Sequence, residues 1–154
     1  MSVEKHIFNS GGSWTGNCDG DGALHLGSGE QLDFGLPEQT GGKPGRSNPE
    51  ELLLGALLSC YCITLSILAE KRRLPLLKID AEASCELERQ ADKTLKIVRI
   101  CIKPKLTLDS NDEKVRNTAL DSAYKAEAHC LISKALHGDI EITVEPEIAG
   151  SLEN

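Results

Sequence analysis

Aromatic residues are scarce in this chain: two Phe, two Tyr and one Trp among 154 positions. Aliphatic and alanine packing must fill the interior, and little is left for stacking on nucleic-acid bases. Positive charge is also short, with 17 Lys and Arg against 24 Asp and Glu, a formal net charge of −7 and a pI near 5.1. That balance repels nucleic acid and anionic membranes, so neither is expected as a partner. The sequence opens without a basic segment followed by an apolar run, so a secretory signal is not expected and the cytoplasm is the expected compartment. A Gly-rich phosphate loop, a Gly-x-Ser-x-Gly elbow and a His-Glu-x-x-His pair are all missing, which removes support for nucleotide and familiar hydrolase chemistry. Arg is missing from the first 45 positions altogether.

One long apolar run is present. Residues 52–69 carry no charge and are followed by Glu70-Lys71-Arg72-Arg73. The length reaches the membrane-span threshold, but Ser59, Tyr61, Thr64 and Ser66 interrupt it, and an acidic first turn with a basic last turn suits a helix dipole in water. We read it as a core helix of a single domain covering residues 1–154, with no membrane partner.

The helix has a clear start: Ser47 or Asn48 as N-cap, Pro49 at the first helical position, acids at 50 and 51. It is expected to run to about Lys71, before Pro75. Spacings of three and four put Leu53, Ala56, Leu57, Cys60, Thr64, Ile67 and Leu68 on one expected buried face, while Cys62, about 200° away from Cys60, points elsewhere. Before it, glycine-punctuated segments at 23–26 and 31–34 read as short strands of a meander. After it, alternation over 77–87 and 95–108 predicts two half-buried strands, with an irregularity at Pro104. A second helix is expected over about Glu113 to Leu136, with Val115, Ala119, Ala123, Ala126 and Cys130 on one face, ended by Gly138. An alternating strand at 139–145 closes the chain. The order gives an α+β fold with a largely antiparallel sheet.

Six cysteines in such a chain are reduced thiols, metal ligands or catalytic groups before they are structural disulfides. Cys85 and Cys101 sit at core strand positions. Cys60 and Cys130 stay open to core, metal and redox readings. If their helices cross with both sulfurs on the shared face, a sulfenic acid on one can condense with the other. His129 suggests a Cys/His dyad or zinc pair with Cys130, but helical neighbours diverge by about 100° and a surface histidine is the simpler reading. Glu50, ten residues before Cys60, is a first-turn acid favoured by the helix dipole, or a carboxylate that orients an Arg from another segment.

Asn48-Pro49-Glu50-Glu51-Leu52-Leu53, Cys60, Ala126-x-x-His129-Cys130-x-Ile132-Ser133 and the strand Ile140 to Val144, with Ser13-Trp14-Thr15-Gly16 near the start, resemble the OsmC/Ohr family of thiol-dependent hydroperoxide reductases. The resemblance implies an intertwined homodimer, in which sheets wrap two long central helices and active sites lie at the subunit interface. It implies Cys60 as peroxidatic cysteine, Cys130 as resolving cysteine, and Glu50 as the carboxylate that holds a catalytic Arg. It further implies an organic hydroperoxide as substrate, a lipoyl-type or similar dithiol as reductant, and neither cofactor nor metal. Two departures stand out. Arg46 is the only Arg before the helix and so the expected activating cation, with Lys43 as a substitute, and Leu131 stands where the family commonly has Pro. An alternative is a protein of this fold that binds a small apolar ligand with weak or no peroxidase activity.

Overall fold

The computed structural model describes residues 2–150. The chain divides into two compact units, one up to Leu53 and one from Leu54 onward, and one helix begins in the first and continues into the second.

The first unit is an antiparallel meander of β1 (Ser10–Thr15), β2 (Asp21–Leu26) and β3 (Gln31–Phe34), followed by a single 3-10 turn at Glu38–Thr40. The two expected strands are present; β1 was not anticipated. Gly22 pairs with both Trp14 and Phe34, and the Phe34 ring lies where a Cβ at Gly22 would stand. Glycine is therefore required there, and the Trp14 and Phe34 rings meet at 5.8 Å between centroids.

Helix α1 (Pro49–Lys71) starts and stops where the sequence places it. Asn48 is the N-cap, its Oδ1 accepting from the Glu51 N–H at 2.9 Å. At the other end Arg73 adopts a left-handed φ of 55°, and the Leu74 N–H reaches back to the Ala69 carbonyl at 2.9 Å. The expected buried face needs correction. Leu57, Tyr61, Leu65 and Ala69 are the fully buried residues, whereas Ala56 is exposed and Ile67 is 46% exposed. Apolar residues lie all around this helix, so spacing alone does not select a side, and Tyr61 earns burial by donating its hydroxyl to the Ala123 carbonyl at 2.8 Å.

In the second unit, β4 (Leu76–Arg89) and β5 (Leu95–Leu108) form a long antiparallel pair, and β5 is flanked on its other edge by β6 (Glu141–Val144) and β7 (Glu147–Ala149), both parallel to it. The sheet is thus mixed on that edge, and β7 was not anticipated. The β4–β5 register runs through Ala81↔Pro104 without a shift; its irregularities lie at Leu76/Lys78 and Glu86/Leu87. Pro104 instead marks the other edge, standing between the residues paired to β6 and those paired to β7, where no ladder donor is needed.

Helix α2 (Glu113–His129) is capped by Asp112, whose carboxylate accepts from the Val115 N–H at 3.0 Å. It ends earlier than expected. Cys130 has extended backbone (φ −66°, ψ 123°), and a separate six-residue helix α3 (Leu131–Leu136) follows. Cys130 is therefore the corner between two helices rather than part of one. Leu131 occupies the first helical position, the one place where leucine and proline are both accommodated. Leu57, Tyr61 and Leu65 of α1 join Ile100, Ile102, Leu106 and Leu108 of β5 and Ala119, Ala123 and Ala126 of α2 in one core with Cys130.

Candidate functional site

Two features of the second unit bring Cys60 and Cys130 together. Tyr61, next to Cys60, is bonded to α2 at Ala123, and Arg72 at the end of α1 donates to Asp121 at 2.6 Å and to Ser122 Oγ at 2.9 Å. These contacts fix the axial position of α1 against α2, and with it the height of Cys60. The Cys130 corner then sets its thiol within hydrogen-bonding reach of Cys60. Both cysteines are free thiols, Cys60 half-buried and Cys130 fully buried.

The two thiols are driven apart in acidity. Partial burial pushes Cys60 up, but the amides of Ile132 and Leu131, the Cys130 thiol and the Thr64 hydroxyl all stabilise its thiolate, and the net displacement is below the ordinary cysteine value. The Thr64 hydroxyl also lies 2.8 Å from the Cys60 carbonyl, so its one proton serves either oxygen or sulfur. Cys130 moves the other way, pushed up to about 11 chiefly by burial, with the Ser133 and Ile132 amides pulling against it and the adjoining Cys60 raising it further. Of the two thiols, Cys60 is therefore the one that loses its proton first, while Cys130 keeps its own. Because thiolate is the nucleophilic form, Cys60 is the more nucleophilic of the two sulfurs.

This activation depends on the helix break. Inside a continuous helix the Leu131 and Ile132 amides would be spent on carbonyls four residues back; at the start of α3 they are free to face Cys60. Neither Gly nor Pro at 130 or 131 announces the break, so periodicity runs straight through it. His129 is exposed, in keeping with the surface reading. Cys62, on the other side of α1, is raised by burial, which keeps it a thiol. Among the described residues no group of three or more His, Cys, Asp or Glu side chains lies together as a metal site.

The first unit holds the other expected site residues. Glu50 lies in the first turn of α1 and lines a cavity of about 380 Å³ with Trp14, Asn17, Cys18, Phe34 and Leu36. Its Oε2 is buried and has no hydrogen-bond partner among the described residues. The expected pairing of Glu50 with Arg46 is not found. Arg46 is bound to Asp21 at 3.0 Å and to Asp33 at 3.5 Å, and Lys43 is bound to Asp21 at 3.2 Å. The physical reason is local: residue 47 pairs alongside β3, which delivers the preceding Arg to two carboxylates on neighbouring strands that need a cation between them.

The fold and the family are shared with known proteins. The chain is 29% identical over 150 residues to the uncharacterized protein YmaD of Bacillus subtilis, covering 95% of this chain and 97% of that one. In fold it is similar to an OsmC-like protein of unknown function from Vibrio cholerae (TM-score 0.80, 14% identity, 92% of this chain and 99% of that one). It is also similar to an organic hydroperoxide resistance protein OsmC from Legionella pneumophila (TM-score 0.74, 19% identity, 93% and 99%). Residues 41–145, which include Glu50, Cys60 and Cys130, match the family described as OsmC-like protein, and the chain belongs to that family.

Proposed function

We propose that this protein is a thiol-dependent hydroperoxide reductase acting on organic hydroperoxides. The observation that carries the reading is the pairing of a Cys60 thiol of lowered pKa with a protonated, buried Cys130 within hydrogen-bonding reach. The Cys60 thiolate attacks the terminal peroxide oxygen, the O–O bond breaks, and the alkoxide leaves and takes up a proton as the alcohol. Cys60 is then a sulfenic acid. The Cys130 sulfur displaces its hydroxyl, which departs as water with the Cys130 proton, leaving a Cys60–Cys130 disulfide. A dithiol reductant reopens that bond by two exchange steps and is itself oxidised. No cofactor enters the cycle.

The active form in this reading is a homodimer. Ile63 and Ile67, within the uncharged stretch 52–69 of α1, are 60% and 46% exposed in the single chain, which supports burial of that side of α1 against a second copy. Glu50 in this reading lines the substrate cavity rather than holding Arg46, and the activating role passes to the Leu131 and Ile132 amides.

Consumption of cumene hydroperoxide with a dithiol tests the proposal. Wild type turns over, Cys60→Ser falls by on the order of a thousandfold, and Cys130→Ser turns over once and stalls. Equal rates for wild type and Cys60→Ser overturn it. A second reading, a binder of small apolar ligands, is favoured by the apolar cavity around Trp14 and Phe34. Ligand retention by native mass spectrometry, without peroxide turnover, supports that reading instead.

A further inference from the structure

The corner between α2 and α3 is held by a side-chain cluster that the reaction itself does not use. The fully buried Ser133 donates its hydroxyl to Oε1 of Glu127, and His137 Nε2 lies 2.6 Å from the same oxygen. Glu127 is in the last turn of α2, Ser133 is in α3, and His137 is the residue that ends α3. One carboxylate oxygen thus collects two donors from across the break and ties the helices on either side of Cys130. It is not a hydrolytic triad. In a triad the acid and the serine meet different imidazole nitrogens; here both meet Nε2, with Ser133 Oγ at 3.3 Å, and Ser133 is sealed from solvent.

The corner needs such a tie. A helix of six residues is far too short to hold its own shape, and it is joined to α2 through a residue of extended backbone. Ile132 and Leu136 pack α3 against the core, and the tie to Glu127 adds a polar hold on the angle of the corner; released from it, α3 would shift about Cys130. The groups that face Cys60 would pivot with it: the Cys130 sulfur and the amides of Leu131 and Ile132. Disulfide closure tolerates little of this, because the two Cβ atoms must come within about 3.5–4.5 Å.

We propose that Glu127, Ser133 and His137 are positioning residues that clasp α3 onto α2, holding the resolving sulfur and the first amides of α3 against Cys60. The proposal rests on the peroxidase reading for its purpose but not for its test. In the full-length reduced protein, thiolate absorbance against pH follows Cys60, with Cys60→Ser as the blank. The rate of Cys60–Cys130 closure is followed after one equivalent of diamide, and thermal melting monitors the fold. Glu127→Ala is expected to move the Cys60 titration to higher pH and to slow closure about tenfold, the scale on which small misplacements of reacting groups act. Glu127→Gln, which keeps an acceptor oxygen, is expected to recover most of both. Titration and closure unchanged in Glu127→Ala, even with a lowered melting temperature, overturn the proposal and leave the cluster merely structural. Should Glu127→Ala not fold, His137→Ala, at a position 46% exposed, carries the same two readouts, and wild-type values there overturn the proposal equally. If the wild type consumes no hydroperoxide, the peroxidase reading fails, while titration and diamide closure still decide the clasp.

Discussion

The two units of the chain are stabilised by different means. In the second, eleven residues from α1, β5, α2 and the Cys130 corner are buried as one apolar cluster. In the first, the buried residues among those described are Gly22, Gly35 and Asn48, and its large apolar side chains, Trp14 among them at 43% exposure, remain in part uncovered. What holds the meander is ladder pairing, the aromatic pair over Gly22, and Arg46 with Lys43 on Asp21 and Asp33. A three-stranded sheet without a covered face is marginal in water. The difference teaches that the two sulfurs are held by the unit with an apolar core, while the cavity beside Glu50 belongs to the unit held by strand pairing and ion pairs.

The comparison can be broken most strongly through the core. Ile102→Ala is expected to cost about 2–5 kcal/mol, against roughly 1 kcal/mol for Phe34→Ala on its half-covered face. Denaturant unfolding curves check this, and equal losses would mean that the first unit has a core of its own. Next in size is the amide contribution. Leu131→Pro keeps a residue suited to the first helical position but removes one N–H facing Cys60. Thiolate is the reactive form, so the peroxide rate rises with pH through the Cys60 titration, and a weaker thiolate moves that rise upward. Leu131→Pro is therefore expected to react severalfold more slowly near pH 7 and to converge with wild type at alkaline pH, as stopped-flow oxidation would record. The smallest effect is expected from Arg46→Ala: about 1 kcal/mol of stability, lost with its two exposed carboxylate partners, and less than a twofold change in Cys60 oxidation. A tenfold loss of oxidation would return Arg46 to the role of activating cation.

Much of this was legible in the residues. Asn48-Pro49 with two following acids defined the start of α1 to the residue, because capping is a local interaction, and the alternation in 77–87 and 95–108 revealed the long strand pair. The side of α1 that is buried was not legible: an all-round apolar helix carries no phase, and the choice of Tyr61 over Ala56 is made by a carbonyl sixty-two positions away. Nor was the break at Cys130. The residues around it, Glu127, Ser133 and His137 among them, are ordinary polar residues at spacings compatible with one continuous helix, and the break shows only in the extended backbone of Cys130. The pairing of Cys60 with Cys130 was suggested by sequence context, whereas the Leu131 and Ile132 amides beside Cys60 depend on a backbone turn that no residue type announces.

The scarcity of aromatic residues leaves one further consequence. Trp14 is the single tryptophan, and it stands in the first unit against Phe34, bordering the cavity that Glu50 also lines. Indole emission from this protein is therefore a reporter of the first unit, responding to whatever enters the cavity or covers the meander. Followed beside far-ultraviolet circular dichroism, which the helices dominate, it separates loosening of the meander from global unfolding without any label being introduced.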